Sequence, residues 1–245
     1  MSIIRPFDPT DILKFNNVNS DAWTATYHNG YYASYTAQWP DFCLTIEGSF
    51  DKTIKAYMIA KHEPPSPDPQ HHGHLTALSI SPEFRSLHLA KTLMNLLEIL
   101  SGSNPRLKQN DHNHDHSNCN GHHDHNHDHM KNEIEINNNN KEKEEEEEEE
   151  EEEERSKGNI DGVNAWFVDL FVRCNNTRAI EMYEKMGYSV YRRVVDYYHG
   201  MEGIGSTRDE LDGYDMRKSM PKDTTKRYVR SNGKDILVSP DQVWA

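Results

Sequence analysis

The chain has 245 residues, 34% of them hydrophobic, and a formal net charge of −14. That length fits one α/β domain with residues to spare, and the acidic balance argues against a nucleic-acid-binding surface, which needs a basic excess. No apolar run is long enough for a transmembrane helix and no signal-peptide pattern opens the chain, so we expect a cytoplasmic protein that does not enter a membrane.

The first hundred residues alternate between strand and helix patterns. In chain order they predict a strand at Ile3–Pro6, a helix beginning at Asp8 with Leu13, Phe15 and Val18 on its apolar side, and a helix at Tyr31–Trp39. Strands follow at Phe42–Glu47, Ile54–Ala60 and His74–Ile80. A turn then leads into a helix whose apolar face is formed by Leu89, Leu93, Leu96, Leu97 and Leu100.

The residues after position 160 continue the same alternation. The apolar run Ala165–Val172 predicts a strand covered on both faces, and a helix over Thr177–Met186 is well placed to end at Gly187. Strands are predicted at Tyr188–Tyr198 and Tyr214–Lys218. Together these elements predict an α/β fold with a mixed, mostly antiparallel twisted sheet and helices on both faces.

A low-complexity segment separates the two patterned halves. Residues 105–160 contain 18 of the 41 acidic and 7 of the 27 basic residues, so the rest of the chain is nearly neutral at 23 against 20. Such a polar segment buries too little apolar surface to offset its ordering entropy. We therefore predict one domain formed by residues 1–104 and 161–220, a disordered insertion over 105–160, and a C-terminal tail over 221–245.

Histidines in this insertion raise the possibility of a metal-binding module. Neutral imidazoles at such density bind Zn²⁺, Ni²⁺ or Cu²⁺ in almost any flexible chain. We favour incidental affinity and expect no metal site, because the segment has no defined ligand set and the three cysteines are far apart. The histidines concerned are His112, His114, His116, His122, His123, His125, His127 and His129.

The turn after the strand that ends at Ile80 opens a helix, whose free N–H groups suit a pyrophosphate. The turn resembles the acetyl-CoA fingerprint Arg-x-x-Gly-x-Gly/Ala of the Gcn5-related N-acetyltransferases (GNAT), with His88 where that family usually has Gly. The resemblance implies a GNAT fold, acetyl-CoA as co-substrate and pantetheine held by backbone groups of Leu78 and Ile80. The fingerprint residues are Arg85, Ser86, Leu87, His88, Leu89 and Ala90.

A second GNAT signature, Asn-x-x-Ala-x-x-x-Tyr-x-x-x-Gly-Tyr/Phe, is matched from Asn176 to Tyr188. Asn176 and Tyr183 are seven residues apart, about two helical turns, and so share a helix face. The resemblance implies that this face meets the thiol end of the cofactor. Tyr183 is then the candidate general acid for the leaving thiolate.

Further motifs are similar to the catalytic subunits of NatB-type N-terminal acetyltransferases. They are Phe15–Asn19, Gln38–Pro40, His72–Ser79, Phe167–Arg173, Gly187–Arg192 and Tyr214–Lys218. The resemblance implies transfer of acetyl to protein N-termini that begin with Met followed by Asp, Glu, Asn or Gln. It also implies a heterodimer with a large helical-repeat auxiliary subunit, and ribosome association through that subunit.

Candidate peptide-binding residues follow from this resemblance. His74 and Thr76 are two apart on a strand and point the same way; His74 could donate to the second substrate residue or relay a proton through water. Ala25 stands where the family commonly has Glu, so no general base is assigned. The remaining candidates for the peptide groove are Tyr27, Tyr197 and Tyr198.

Asp169 needs its own interpretation, and two alternative functions stay open. Asp169 lies inside an apolar strand, and we interpret it as structural, held by hydrogen bonds. A related enzyme that acetylates lysine or a small amine would share the same cofactor motifs. A noncatalytic acyl-CoA-binding domain in a metal-binding protein is the other possibility.

Overall fold

An eight-stranded sheet organises the fold. The computed structural model describes residues 1–20, 23, 26–66, 68–102, 162–198 and 207–243. Its strands are β1 (Ser2–Pro6), β2 (Cys43–Gly48), β3 (Ile54–Glu63), β4 (His72–Ile80), β5 (Phe167–Arg173), β6 (Ser189–Val194), β7 (Gly213–Ser219) and β8 (Leu237–Val238). They lie in the order β1-β2-β3-β4-β5-β7-β6-β8. The β4–β5 and β6–β8 pairs are parallel and the others antiparallel, which confirms the expected mixed sheet.

Four α-helices accompany the sheet in the described residues. They are α1 (Asn29–Gln38), α2 (Leu89–Ser101), α3 (Thr177–Lys185) and the short α4 (Arg208–Leu211). In α2 the apolar spacing buries Leu93, Met94 and Leu97. Past the end of α3, Gly187 adopts φ +90, a left-handed conformation that glycine reaches without strain.

The helices cover both faces of the sheet, as predicted. Side chains alternate along β3, so Met58 and Tyr57 enter two different hydrophobic clusters. The first cluster packs against α2 and α3, and the second packs against α1. We call these two sides of the sheet the α2 side and the α1 side.

The helix expected after Asp8 is wrong in extent. Only a five-residue 3₁₀ turn, Pro9–Leu13, forms there, with Asp8 as its N-cap. Asp11 ties this turn to β1 through an ion pair with Arg5 at 2.7 Å, and the asparagines that follow are weak helix formers. Phe15 and Val18 are buried as expected, but Leu13 is 80% exposed because no helix turns it inward.

The strand expected over Tyr188–Tyr198 is shorter in the structure. It ends at Val194, and Asp196 has φ +54, which takes the backbone out of the extended region. This turn places Tyr197 and Tyr198 beyond the strand rather than on it.

Strands β4 and β5 pair over only three residues each. Their register joins Gly73–Leu75 to Val168–Leu170 and goes no further. On the other edge of β4, the pairing with β3 skips Thr76, which marks a β-bulge. The two central strands therefore separate just after the bulge, a common place for a functional site in a sheet.

The chain leaves the described fold at Gly102 and returns at Gly162. A Cβ atom on Gly162 would lie 1.8 Å from the Gly102 carbonyl oxygen, so the two backbones touch. Val163 N–H also donates to the Leu100 carbonyl at 2.9 Å. The predicted insertion 105–160 with its histidines lies outside the described residues, and so does Ala25.

The C-terminal residues, for which the sequence predicts only a tail, pack against the sheet. Leu237 and Val238 form the parallel partner of β6, and Gly233 approaches the Val190 carbonyl so closely that a Cβ atom there would lie 1.9 Å from its oxygen. No helix in the described part of the chain is long and apolar enough to cross a membrane.

Candidate active site

His74 and Thr76 lie on the α1 side of the sheet, where β4 bulges away from β3. The Thr76 hydroxyl donates to the Tyr35 hydroxyl at 3.1 Å. His74 is 8% exposed, and its ring centroid lies 5.9 Å from that of Phe171 on β5. Lys61, the cross-strand partner of His74, also faces Tyr35 and thus confirms which side His74 occupies.

Tyrosines from two separate segments surround these residues. Tyr27 stacks on Tyr31 at 4.4 Å between ring centroids, and the Tyr31 hydroxyl donates to that of Tyr35 at 3.0 Å. Tyr197 stacks on Phe171 at 4.5 Å and meets Tyr198 edge-on at 4.9 Å.

Electrostatics connect the two groups of tyrosines. Burial raises the pKa of Tyr197, and Tyr27 and then Asp169 raise it further. Tyr27 is therefore within electrostatic reach of Tyr197. All five predicted peptide-binding residues belong to one aromatic region on the α1 side: Tyr27, His74, Thr76, Tyr197 and Tyr198.

Acidic and imidazole groups lie beside this aromatic region. The Asp169 carboxylate accepts a hydrogen bond from His74 Nδ1 at 2.8 Å, and its other oxygen is 3.6 Å from His72 Nε2. Glu63, His72 and His74 each place one potential ligand atom within 4.8 Å of the others. Imidazole and carboxylate groups at this spacing are the ligands that bind a divalent cation such as Zn²⁺.

The predicted phosphate-binding turn lies at the N-terminus of α2. Ser86, Leu87 and His88 are exposed, and the first intrahelical bond at this end runs from Thr92 N–H to the His88 carbonyl at 3.0 Å. A helix N-terminus offers N–H groups without intrahelical partners and a partial positive charge, both of which favour an anion. The first turn of α2 contains no acidic side chain that would compete for this position.

His88 has a left-handed backbone conformation, with φ 59 and ψ 16. Ser86 also has a positive φ of 64. Such conformations cost a residue with a Cβ atom about 1–2 kcal/mol, which glycine avoids. The family's glycine at this position is therefore explained by backbone geometry as well as by close approach of phosphate.

The remaining cofactor candidates lie on the α2 side. Leu78 and Ile80 are half-buried and pack against the first hydrophobic cluster. Asn176 is the N-cap of α3, and its side chain accepts from the Ala179 N–H at 3.3 Å. Tyr183 is 7% exposed in the same cluster, and burial raises its pKa above the usual value, so its hydroxyl keeps its proton at neutral pH.

Predicted cofactor residues and predicted peptide residues thus occupy opposite sides of the sheet. Thr76 from the peptide set and Leu78 and Ile80 from the cofactor set lie on β4 beyond its last pair with β5. Two reactants approaching from the two sides would meet in this gap, which is the arrangement that a direct transfer reaction requires.

Several residues of the aromatic region were not predicted from sequence. Tyr31 and Tyr35 line it from α1, and Phe171 lines it from β5. The four-residue spacing of Tyr31 and Tyr35 was a usable signal, because residues at that spacing share one helix face.

This fold and this two-sided site define a GNAT-type acyltransferase. The acetyltransferase (GNAT) family profile matches residues 12–110. The chain is 31% identical to the N-terminal acetyltransferase B complex catalytic subunit naa20 of Schizosaccharomyces pombe, over 99% of both chains. It is 34% identical to the corresponding NAA20 subunit of Arabidopsis thaliana, covering 94% of this chain and 91% of that one.

A solved structure shows the same relationship. Chaetomium thermophilum Naa20, crystallised in complex with a bisubstrate analogue, matches with a TM-score of 0.68 and 29% identity, over 99% of this chain and 100% of that chain. The chain belongs to the family of NatB catalytic subunits, as its motifs predicted.

Proposed function

We propose that this chain acetylates the α-amine of protein N-termini beginning Met-Asp, Met-Glu, Met-Asn or Met-Gln. Its family membership confirms the expected enzyme class, protein N-terminal acetyltransferase, with acetyl-CoA as the co-substrate. The observation that carries the proposal for this site is the placement of the two residue sets on opposite sides of the β4–β5 gap.

The reaction that the site must catalyse is the attack of a neutral amine on a thioester. An α-amine has a pKa of about 7.7–8.0, so a substantial minority is already neutral at cellular pH. Positioning of the two reactants therefore supplies much of the rate. On the cofactor side we assign pyrophosphate binding to the turn Arg85–Ala90, pantetheine binding to Leu78 and Ile80, and protonation of the thiolate to Tyr183.

Recognition of the peptide belongs to the aromatic region. Thr76 and the tyrosine hydroxyls offer hydrogen-bond donors to a carboxylate or carboxamide at the second residue. His74 either donates a hydrogen bond to this side chain or relays a proton from the amine through water. Tyr27, Tyr197 and Tyr198 form the walls of the peptide groove. The Thr76 and Tyr31 hydroxyls both donate to the Tyr35 hydroxyl, so the Tyr35 proton can be donated to an acceptor on the second substrate residue. A second residue with no acceptor would lose this hydrogen bond, which gives selectivity.

We also propose that the chain works in the cytoplasm with a large helical-repeat auxiliary subunit and, through it, near ribosomes. The relatives support a partner, because they are named as catalytic subunits of a complex. An acetyl group added near the ribosome reaches the N-terminus before folding buries it. We propose no nucleic-acid contact, since the chain outside 105–160 has no basic excess.

The test is acetyl transfer from acetyl-CoA to synthetic peptides beginning Met-Asp, Met-Asn, Met-Leu and Ser-Glu, with acetyl-blocked Met-Asp as control. The enzyme is the full chain co-purified with its auxiliary subunit. Transfer confined to free Met-Asp and Met-Asn is the expected result. Equal transfer to Met-Leu, or transfer to a lysine of the blocked peptide, would contradict the proposed specificity.

A further inference from the structure

The four residues that follow β6, residues 195–198, lie against the start of β7. Asp196 N–H donates to the Asp212 carboxylate at 3.0 Å, and Tyr198 N–H donates to the Leu211 carbonyl at 2.7 Å. We call these four residues the tyrosine turn, because they carry two of the tyrosines assigned to the peptide groove. Its backbone is held at two points by the residues that lead into β7.

Asp212 joins the tyrosine turn to two other elements. Its carboxylate is fully buried and accepts from Arg193 Nε on β6 at 2.6 Å, while Arg208 Nε on α4 lies 3.6 Å away. A buried carboxylate is costly unless its oxygens are paired; here Oδ2 faces the arginines and Oδ1 accepts from the turn. This one side chain therefore holds β6, α4 and the tyrosine turn together.

Gly213, the next residue, leaves the space in which both tyrosine rings pack. Its cross-strand partners are Arg173 on β5 and Val194 on β6, so these three residues form one row across the sheet. A Cβ atom on Gly213 would lie 3.1 Å from Tyr197 Cδ1 and 3.2 Å from Tyr198 Cε2. Because Gly213 does not have a positive φ, the two rings, and not the backbone conformation, exclude a side chain here.

Two side chains of β5 orient the rings in this space. Phe171 stacks on Tyr197 at 4.5 Å between centroids with an interplanar angle of 14°. The Arg173 guanidinium lies 4.3 Å from the Tyr198 ring centroid, and the two tyrosine rings meet edge-on at 85°. Stacked, edge-on and cation–π contacts all depend on ring orientation, so together they favour one arrangement of the pair.

We propose that Asp212 and Gly213 are positioning residues for peptide recognition. Asp212 fixes the backbone of the tyrosine turn and Gly213 leaves room for its rings, so both act on the peptide through Tyr197 and Tyr198. The inference rests on the proposed function, which assigns these tyrosines to the peptide groove. Because the predicted cofactor residues of β4 and α3 pack on the other side of the sheet, the two positioning residues should affect peptide binding and leave acetyl-CoA binding unchanged.

Gly213→Ala is the first test, because it adds one methyl group against the two rings. Steady-state rates are measured with the full chain, its auxiliary subunit and a Met-Asp peptide. KM for the peptide should rise about tenfold, since a small misplacement of binding groups is enough for such a change. KM for acetyl-CoA and kcat should stay within about twofold of the wild type. A similar rise in both KM values, or an unchanged KM for the peptide, would overturn the inference.

Gly102→Ala is the matched control for this substitution. A Cβ atom on Gly102 would lie 3.1 Å from the Glu98 carbonyl oxygen, which is as close as the contact at Gly213, but at the C-terminus of α2. This variant should lower the melting temperature and leave both KM values unchanged. An equal rise in peptide KM would show that crowding anywhere in the fold has this effect, and would contradict the positioning role.

Asp212→Ala tests the hold on the tyrosine turn by hydrogen–deuterium exchange in the same complex. Without the acceptor oxygens, amides of residues 195–198 should exchange faster, and peptide KM should rise about tenfold. Asp212→Asn should fall between the wild type and Asp212→Ala, because its oxygen can still accept from Asp196 N–H. Unchanged exchange, or a wild-type KM for the peptide, would contradict the role of Asp212. If Asp212→Ala does not fold, Asp212→Asn and Gly213→Ala decide by the same two measurements.

Asp11→Ala is the control for Asp212→Ala. Asp11 is also a fully buried carboxylate that accepts from a backbone N–H, that of Asp8, and from an arginine, Arg5. It lies at the β1 edge, where β2, β3, β4 and β5 separate it from β7. It should lower the melting temperature and leave peptide KM unchanged. If the wild-type complex acetylates no Met-Asp peptide, the proposed function fails, whereas the exchange result still decides whether Asp212 holds the tyrosine turn.

Discussion

The left-handed backbone at His88 is the residue-scale feature with the most direct consequence for cofactor binding. His88→Gly should stabilise the protein by about 1 kcal/mol, because the turn is no longer strained, and should lower KM for acetyl-CoA, because the phosphates can approach the backbone more closely. Thermal unfolding should shift upward by about 2–4 °C. Lys226→Gly is the control: its φ is also positive, at 53, but it lies in the C-terminal segment and should raise the melting temperature without changing KM.

Tyr183 is the residue whose chemical role is most easily isolated. Tyr183→Phe removes only the hydroxyl that we assign as proton donor to the thiolate, so kcat should fall by about 100-fold while acetyl-CoA still binds. Tyr188→Phe is the same change in an adjacent ring of the same cluster, 6.0 Å away between centroids. Stopped-flow or steady-state rates on one peptide would compare the two, and equal rates would refute the assignment.

Motifs predict the cofactor residues, whereas tertiary contacts determine the arrangement of the predicted peptide residues. Asn176 is the N-cap of α3, and the turn at Arg85–Ala90 leads directly into α2, so a local sequence pattern is enough to predict both positions. Thr76 is hydrogen-bonded to Tyr35, 41 residues away in the chain, and His74 is hydrogen-bonded to Asp169, 95 residues away. No local pattern encodes such pairings, and Asp169 was accordingly interpreted only as structural.

At the scale of elements, apolar periodicity predicted the helices and strands that are stabilised by burial of apolar side chains. It predicted β5 and α3 within two residues at each end, and it predicted the apolar face of α2, because each of these elements buries apolar side chains. It did not predict β8 or the packing of the C-terminal segment, which is polar overall and relies on a few aromatic and arginine contacts. Arg230, for example, lies 3.6 Å from the ring centroid of Tyr191.

Tyr228 is the main anchor of that C-terminal segment. It is 6% exposed, stacks on Phe167, and donates its hydroxyl to the Pro69 carbonyl. Tyr228→Ala should destabilise the protein by about 3–5 kcal/mol, as other deletions of buried rings do. In urea unfolding, Leu237→Ala should change stability by less than about 0.5 kcal/mol, since Leu237 is 56% exposed. A small effect at Tyr228 would mean that the segment is only loosely attached.

At the scale of the whole molecule, the touching backbones at Gly102 and Gly162 suggest that the residues between them can be removed. We predict that replacing 104–161 with a short Gly-Ser linker leaves kcat/KM within about twofold, because the hydrogen bonds at the junction involve Leu100 and Val163. Activity and melting temperature of the shortened and full-length chains would be compared. A loss of activity without a loss of stability would give this segment a catalytic role.

Metal dependence is the remaining prediction for the whole chain. Acetyl transfer should be unchanged by EDTA, because the proposed reaction needs no Lewis acid. Added Zn²⁺ tests whether Glu63, His72 and His74 bind a metal ion. If Zn²⁺ inhibits the shortened chain but not its His72→Gln variant, the ion binds at these three residues rather than at the histidines of 105–160.

Helix α2 begins at the expected pyrophosphate site and ends thirteen residues later, about 20 Å along its axis. A few residues further along the sequence begins the segment 105–160, whose net charge is −11, and acetyl-CoA is itself an anion. Repulsion between like charges is screened within a Debye length of about 8 Å at physiological ionic strength and extends further in dilute buffer. We therefore predict that KM for acetyl-CoA rises as salt is removed from the full-length chain, and rises much less in the shortened one.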